Sequence, residues 1–341
     1  MEMSIRVVYG INEIDANIWD ELSMGQPFQS HKWYQYGEKV LDDCAPMYLL
    51  VYRGEVLIGR ASFWLTRNEP LPQFAGIWQM PLKIILKRWP LLICRSPLSS
   101  MTGIVTTLEE DREEILRVIS VEAIEQAYKL NCSALMFDFI PSADANTWMK
   151  GFSILKFPDV GTYMKNRWKD FDDYIATGDA RNRKNYRRTM RESVKFEIDA
   201  RHHVTEEEIE MLLPLVNHVD KLYGSMPNPW VKNMVRYMEM ADGQLVTVIH
   251  DNKIIACSLM LEDRQVQLTT AFGRRTMQPF VYMMVVYKNL EVAFSRKVQA
   301  FRWGSGVYDI KKKLGFGLED NGFVAFYPVQ PFLRIISRWF A

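Results

Sequence analysis

Lys311 is the residue whose setting first invites chemistry. It lies in FRWGSGVYDIKKKLGFGLEDNGFVAFYP, residues 301–328. The run ending at Trp303 reads as a strand. Gly304 and Gly306 make a tight strand-to-helix exit that a ligand backbone can approach closely. A short helix through Lys311–Lys313 then ends at Gly315, and another strand, FVAFYP, follows. In the helix Val307, Ile310 and Leu314 share a face, which sets Tyr308, Lys311 and Lys312 nearer the polar side. The plainer alternative is a solvated helix carrying three lysines.

A second group of charges stands at RNRKNYRRTMR, residues 181–191, where six of eleven residues are basic and none is acidic. On a helix Lys184, Arg187, Arg188, Arg191 and Lys195 form one stripe, while Tyr186, Met190 and Val194 turn to another side and can pack inward. Like charges at this spacing repel by about 0.2–0.5 kcal/mol per pair, so the stripe gains from an anion laid over it. Arginine forks match phosphate and carboxylate oxygens. A solvated face and a nucleic-acid patch are the competing readings. Arg274 and Arg275, just after Gly273, are two further cations placed to meet a phosphate.

These groups sit in an ordinary globular background. The chain has 341 residues, 48% apolar and 24% charged, enough for two domains with their own cores. Its net charge of +1 gives no global reason to expect DNA binding. Cys44, Cys94, Cys132 and Cys257 lack metal-ligand spacing and read as buried thiols of a reducing compartment. His202 and His203 point to different sides, His31 has no nucleophile or acid assigned by spacing, and no metal constellation is visible. There is no nucleophile-elbow or P-loop motif. The N-terminus lacks the features of a signal peptide, and the apolar segment at 81–94 is too short and too charged to span a bilayer. A cytoplasmic protein is expected. The C-terminal PFLRIISRWFA mixes Arg334 and Arg338 with Phe332, Ile335, Trp339 and Phe340, so either peripheral membrane contact or packing on its own domain fits it.

The elements that must hold these groups recur. Residues 47–65 read as a hairpin turning at Arg53-Gly54-Glu55, and 244–273 as three strands turning near Asp251-Asn252 and Glu262-Asp263. Each is followed by a helix (111–130 and 281–297) and a strand (133–140 and 298–303). Hairpin, helix, strand therefore occurs twice, about 200 residues apart, as in a duplicated domain. Between the copies, Asp170 and Asp179 are placed to cap helices, and Thr205 with Glu208 forms a capping box for a helix stopping at Gly224.

This order, closing on a short helix ending in LGF, resembles the GNAT superfamily of N-acetyltransferases. Many members end on a helix reading Tyr-x-x-x-Gly-Phe whose tyrosine protonates the leaving thiolate. Here KKKLGF sets Lys311 where that tyrosine would be. A lysine in this helix and two GNAT-like domains in tandem resemble the Fem-type aminoacyl transferases and the FemAB-like or BioF2-like acetyltransferases. PFQSHKWYQYGEKV, residues 27–40, is similar to the family's entry motif. WKDFDDYIATGDARNRKNYRRTMRES, residues 168–193, is similar to its W-x-x-Y … R-x-N-x-R-R segment. The resemblance runs over nearly the whole chain. It departs at AFGRRTMQPFVYMM, residues 271–284, where the glycine-rich acetyl-CoA signature is missing.

The resemblance implies an α/β chain with mixed sheets in two tandem GNAT-like acyl-CoA N-acyltransferase domains. Residues 1–160 would be a degenerate copy and 161–341 the copy with the active site. It implies transfer of an acetyl or aminoacyl group to an amine of a cell-envelope, polysaccharide or peptidoglycan-type acceptor, a small molecule, glycan or peptide. The donor would be acyl-CoA (acetyl-CoA) or aminoacyl-tRNA, with no metal and no DNA, in the cytoplasm or at the inner membrane face. Lys311 would act on the reacting carbonyl, and Tyr308 would position the donor or pass a proton. Lys184, Arg187, Arg188, Arg274, Arg275, Gly304 and Gly306 are the candidate donor-binding residues. Trp33, Tyr34 and Trp303 are the candidate substrate-contacting aromatics. Two rivals stay open: a non-catalytic module that binds an anionic ligand, and an RNA-binding stripe without catalysis, which the absence of an aromatic platform among the basic residues disfavours.

Overall fold

The computed structural model describes residues 3–70, 79–107, 112–145, 151–156, 159–275 and 279–333. The chain divides into two compact units: Met1–Val160 together with Asp320–Ala341, and Gly161–Glu319. Unit 1 runs β1 (Met3–Val8), α1 (Ala16–Leu22), α2 (His31–Val40), β2 (Ala45–Arg53), β3 (Val56–Thr66), α3 (Gln79–Arg88), β4 (Leu91–Cys94), β5 (Ile104–Thr106), α4 (Arg112–Lys129), β6 (Ala134–Ile140) and β7 (Ser153–Lys156). Unit 2 runs β8 (Thr162–Lys165), α5 (Phe171–Thr177), α6 (Ala180–Ser193), β9 (Glu197–Arg201), α7 (Glu206–Leu222), α8 (Val231–Arg236), β10 (Gln244–His250), β11 (Lys253–Asp263), β12 (Val266–Arg274), α9 (Pro279–Ser295), β13 (Ala300–Trp303), α10 (Tyr308–Lys313) and β14 (Gly317–Leu318). The last strand, β15 (Phe323–Pro328), belongs to unit 1.

The duplication legible in the sequence is present in both sheets. One has the order β1-β2-β3-β4-β6-β15-β7, with β5 added beside β3; the other has β9-β10-β11-β12-β13-β8-β14. Along these paths the pairing directions are the same: three antiparallel pairs, one parallel pair (β4 with β6, β12 with β13), then two antiparallel pairs. The next-to-last place is filled out of sequence order in both. β8 precedes the rest of its unit, and β15 follows the whole of unit 2.

The assignment of FVAFYP to the second domain is corrected by this pairing. β15 pairs with β6 from Phe323↔Ile140 to Pro328↔Ala134, and with β7 from Phe323↔Lys156 to Phe326↔Ser153. Ala325 is buried in the main core of unit 1, and Val324 joins Leu91, Ile93 and Met136 in a smaller cluster. A strand with an apolar partner on each face is held by burial as well as by its ladder, at about 1.5–3 kcal/mol per large apolar side chain. Of the C-terminal PFLRIISRWFA, residues 334–341 lie outside the described residues.

Local signals set most boundaries. Asp170 accepts from Asp173 N–H at 2.9 Å and Asp179 from Asn182 N–H at 2.6 Å, opening α5 and α6. The Thr205–Glu208 box opens α7, and each such cap is worth about 1 kcal/mol. The β10–β11 turn falls at Asp251-Asn252, both with positive φ, as a two-residue hairpin turn requires. The next turn lies at Arg264-Gln265, two residues beyond the Glu262-Asp263 read from the sequence. α4 lays Ile115, Ile119, Ala123 and Ala127 on the core of unit 1, and α9 buries Val281, Met284, Val285 and Leu290 in that of unit 2. The four cysteines are buried and unpaired; burial pushes Cys44, Cys132 and Cys257 up to about 12, which removes them as nucleophiles.

Candidate functional site

The parallel strand pair of unit 2 opens at one end. β12 and β13 pair from Val266↔Ala300 to Thr269↔Trp303. β13 then stops, while β12 continues to Arg274. Ala271 takes a φ of 48° beside a register shift against β11, a bulge of the kind that re-aims a strand beside a site. Thr270, Ala271 and Phe272 are half-buried, and Gly304 and Ser305 across from them are exposed. The carboxyl ends of neighbouring parallel strands form a natural ligand crevice. Gly306, with φ of 84°, and Val307, with φ of 50°, swing the chain from β13 into α10. Nothing lies within 4 Å of a Cβ built on Gly304 or Gly306, so a ligand can approach both.

Lys311 sits at this mouth, and it is not on the polar side of its helix. Its side chain is buried, with Nζ donating to Gly304 O and to Ser305 O, the latter at 3.3 Å. Leu314, one turn on, is also buried, whereas Val307 is exposed. Burial lowers the Lys311 pKa to about 8, against the opposing pull of Glu319. The amine therefore changes charge near neutrality while its donors stay fixed on two backbone carbonyls. Glu319 is itself held by Arg302 of β13, with Nη2 to Oε2 at 2.7 Å and a second bond from Nε to Oε1. Tyr308, half-buried, stands one turn before Lys311, and Asp309 is exposed.

The basic stripe is real over α6 and shorter than expected. Lys184, Arg187, Arg188 and Arg191 are exposed, and none has an ion pair or hydrogen bond among the described residues. Lys195 lies past the helix end, and Val194 is 85% exposed where the pattern placed it inward. Tyr186 and Met190 pack on the core as expected. The helix is anchored by groups the sequence reading passed over. Tyr287 OH donates to Asn182 Oδ1 at 2.9 Å, and Asn185 Nδ2 donates to Tyr287 OH at 3.3 Å. Tyr174 OH donates to Leu314 O at 2.8 Å and accepts from Asn182 Nδ2 at 3.5 Å. The first turn of α6 and the end of α10 thus share Tyr174. Asp179 carries a capping signal, but the bond from Tyr174 to Leu314 spans too much sequence to be read locally.

Arg274 closes β12. It is 7% exposed, its Nη2 donates to Tyr223 OH at 3.3 Å, and its Nε has no partner among the described residues. Arg275 is exposed. Thr276, Met277 and Gln278, where the glycine-rich signature was sought, lie outside the described residues. Gly273 permits the tight seat of β12 on α7, since a Cβ there would meet Val216 N at 2.8 Å.

The aromatic expectations are corrected. Trp33 and Tyr34 are core residues of unit 1, at 1% and 0% exposure. The Trp33 indole donates to Pro97 O at 2.9 Å, and Tyr34 OH donates to Gln29 Oε1 at 3.1 Å. Neither leaves a face for a substrate. Trp303 is buried against Phe316, with ring centroids 4.4 Å apart, and its indole reaches Gln267 Oε1 at 3.3 Å. Their hydrophobic surface is spent on packing. His31 is likewise structural, its Nε2 bonded to Ile11 O at 3.0 Å. Among the described residues no group of side chains could hold a metal ion.

Unit 1 fills the corresponding place differently. Its parallel pair ends at Cys94↔Phe137, and the next residues are Arg95 and Asp138. Arg95 makes a two-pronged pair with Glu69 at 2.8 Å and lies 4.0 Å from Asp138. Burial pushes the Asp138 carboxyl up to about 6, against the nearby Arg95. An unfolded aspartate ionises near 3.8, so between 3.8 and about 6 the folded state holds a proton that the unfolded chain has released. Stability therefore falls as pH rises through that window. Asp138→Asn lacks this fall, so urea midpoints should move in the variant's favour between pH 4 and pH 7. A constant difference from wild type would show that Asp138 is not held protonated.

Residues 10–340 match a family model, FemAB-like, described as peptidoglycan biosynthesis/recognition. No curated protein matches the chain. Among solved structures, the crystal structure of FemX is similar at a TM-score of 0.64 and 12% identity, covering 98% of this chain and 100% of that one. A tandem GNAT protein from the clavulanic acid biosynthesis pathway, solved without AcCoA, is similar at 0.58 and 11%, covering 97% and 99%. L-PGS from Bacillus licheniformis is similar at 0.53 and 11%, covering 95% and 94%. Likeness at these identities concerns the fold: two GNAT-like domains in tandem.

Proposed function

The chain belongs to the FemAB-like family, and from that premise we propose that unit 2 transfers an acyl group, acetyl or aminoacyl, to the amine of a peptidoglycan-type or other cell-envelope acceptor. The observation that carries this reading is Lys311: a buried amine at the open end of a parallel strand pair, fixed on the carbonyls of Gly304 and Ser305, with a pKa near 8. An acceptor amine attacks the donor's carbonyl carbon, and negative charge gathers on the carbonyl oxygen. The Lys311 ammonium stabilises that charge. As the tetrahedral species collapses, the carbon–sulfur or carbon–oxygen bond breaks. The leaving thiolate or alkoxide takes a proton from Lys311, and the new amide nitrogen gives its surplus proton to the Lys311 amine, so Lys311 ends as it began, an ammonium. Tyr308, one turn away, positions the donor.

The donor's phosphates have two sets of partners. Arg274 is a buried guanidinium with a donor to spare at the end of β12, and the α6 stripe presents Lys184, Arg187 and Arg188 without partners among the described residues. An acyl-CoA diphosphate and the 3′ end of an aminoacyl-tRNA both suit such groups. Arg187→Glu/Arg188→Glu should raise the donor KM by at least about tenfold with kcat nearly unchanged, as expected for lost uniform binding. The change lies on an exposed face, so circular dichroism should be unaltered. Unchanged KM for acetyl-CoA, alanyl-tRNA and acceptor would remove the stripe from the site. If the donor is a tRNA, binding should also fall steeply with salt, with a slope reporting several phosphates.

A further inference from the structure

Unit 1 carries a helix face that its own packing leaves in water. α3 is fastened through Leu86, which is buried with Leu91, Ile93, Met136 and Val324. On the outside Met80 and Ile84, at i and i+4, are 70% and 65% exposed. Single exposed apolar residues are ordinary, but these two share a helix surface with Lys83, Lys87 and Arg88, and no acidic residue occurs from Gln79 to Cys94. The side chains of Lys83 and Lys87 have no ion pair or hydrogen bond among the described residues. Arg67 adds a further cation at the helix end, its Nη1 donating to Lys87 O at 2.5 Å. There Arg88 lies 5.8 Å from the Trp89 ring, and Trp89 meets Phe332 at a centroid distance of 5.2 Å.

The chemistry of this surface selects its occupant. A soluble anion would answer the lysines and leave Met80 and Ile84 wet. A neutral apolar partner would cover those two and leave the cations uncompensated. A second copy of the chain packed face to face would set the cations against each other. An anionic bilayer answers both, because basic side chains meet lipid phosphates while apolar ones enter the headgroup–acyl boundary. A tryptophan beside the basic helix end is also suited to that depth. No described helix is long and apolar enough to cross a membrane, so the contact is one of lying on the surface. We propose that α3 docks unit 1 on an anionic lipid surface through Met80, Ile84, Lys83, Lys87 and Arg88. This does not depend on the reaction assigned to unit 2.

The test is sedimentation of the full chain with vesicles of phosphatidylcholine alone or mixed with phosphatidylglycerol. Wild type should partition to the anionic vesicles and hardly to the neutral ones. Lys83→Gln/Lys87→Gln should weaken that partition by about 25-fold, from roughly fivefold per basic residue near the surface. Ile84→Asn should weaken it with every charge kept, and both variants should melt like wild type. Millimolar inorganic phosphate should not displace the protein. The proposal is overturned if wild type ignores anionic vesicles, if the α3 variants bind like wild type, or if phosphate competes fully. It is also overturned if the loss appears only in Arg187→Glu/Arg188→Glu, or if Ile84→Asn instead turns a dimer into a monomer.

Discussion

Replacing Lys311 with methionine should lower kcat by about 10²–10³-fold, the usual cost of removing one group that stabilises a developing oxyanion. Methionine keeps an unbranched chain and roughly the same volume, so the packing around Leu314 survives. The carbonyls of Gly304 and Ser305 belong to exposed residues and can turn to water. Unit 2 should therefore stay folded. An unfolded lysine keeps its proton to about 10.5, while folded Lys311 loses it near 8. Between those values the unfolded chain binds more protons, so wild-type stability rises with pH across that window. Methionine removes the burial penalty, making the variant at least as stable at pH 7, and its advantage should shrink from pH 8 to 10.5. Lys311→Arg should not restore the rate, because a planar fork cannot reproduce an ammonium seated on two carbonyls. Steady-state kinetics with thermal melts separates the outcomes. Full turnover by the methionine variant would eliminate Lys311 from the chemistry.

The second large effect is expected at Glu319, on stability. Its carboxylate faces the buried guanidinium of Arg302, with side-chain exposures of 10% and 6%. Removing one partner of a buried pair strands the other charge and typically costs about 3–5 kcal/mol. Glu319→Ala should destabilise unit 2 by about that much in urea unfolding at pH 7. Replacing both partners by apolar residues, Arg302→Met/Glu319→Leu, should recover most of the loss, because a buried ion pair is roughly neutral against a well-packed apolar one. Glu319 also raises the Lys311 pKa against the pull of burial, so its removal should lower that pKa further. A loss under about 1 kcal/mol, the usual range for exposed pairs, would mean that water reaches the pair freely.

Much of this architecture was legible because its signals are local. Asp170, Asp179 and the Thr205–Glu208 box announce helix starts through bonds closed within three residues. The turn at Asp251-Asn252 is set by two residues that tolerate positive φ. Repetition of hairpin, helix and strand betrays the duplication without any long-range knowledge. What failed depends on pairing across the chain. FVAFYP has the alternation of a strand, but nothing within it says which sheet it joins. The choice is made by Ile140, which pairs with Phe323, and by the unit 1 core that buries Ala325. Trp33, Tyr34 and Trp303 look like ligand-facing aromatics in a list of residue types, and only the fold shows their rings enclosed. Lys311 was found by its place before LGF, yet its burial was not foreseen, since hydropathy sends a lysine outward. The Gly304 and Ser305 carbonyls that receive it exist as acceptors only once β13 stops. The tie from Asn182 through Tyr174 to Leu314 spans more than a hundred residues.

As proposed, Lys311 acts as a cation at the open end of the β12–β13 pair. The most direct test is the pH dependence of acyl transfer from acetyl-CoA or alanyl-tRNA to an amine-bearing muropeptide, in wild type and in Lys311→Met. Taking the ratio of the two rates cancels titration of the acceptor amine. A Lys311 that works as a cation gives a ratio of about 10²–10³ below pH 7, falling about tenfold per pH unit above the Lys311 pKa near 8. A ratio that rises through pH 8 would make the neutral amine the working form, and a ratio near one throughout would leave Lys311 with no part in the transfer.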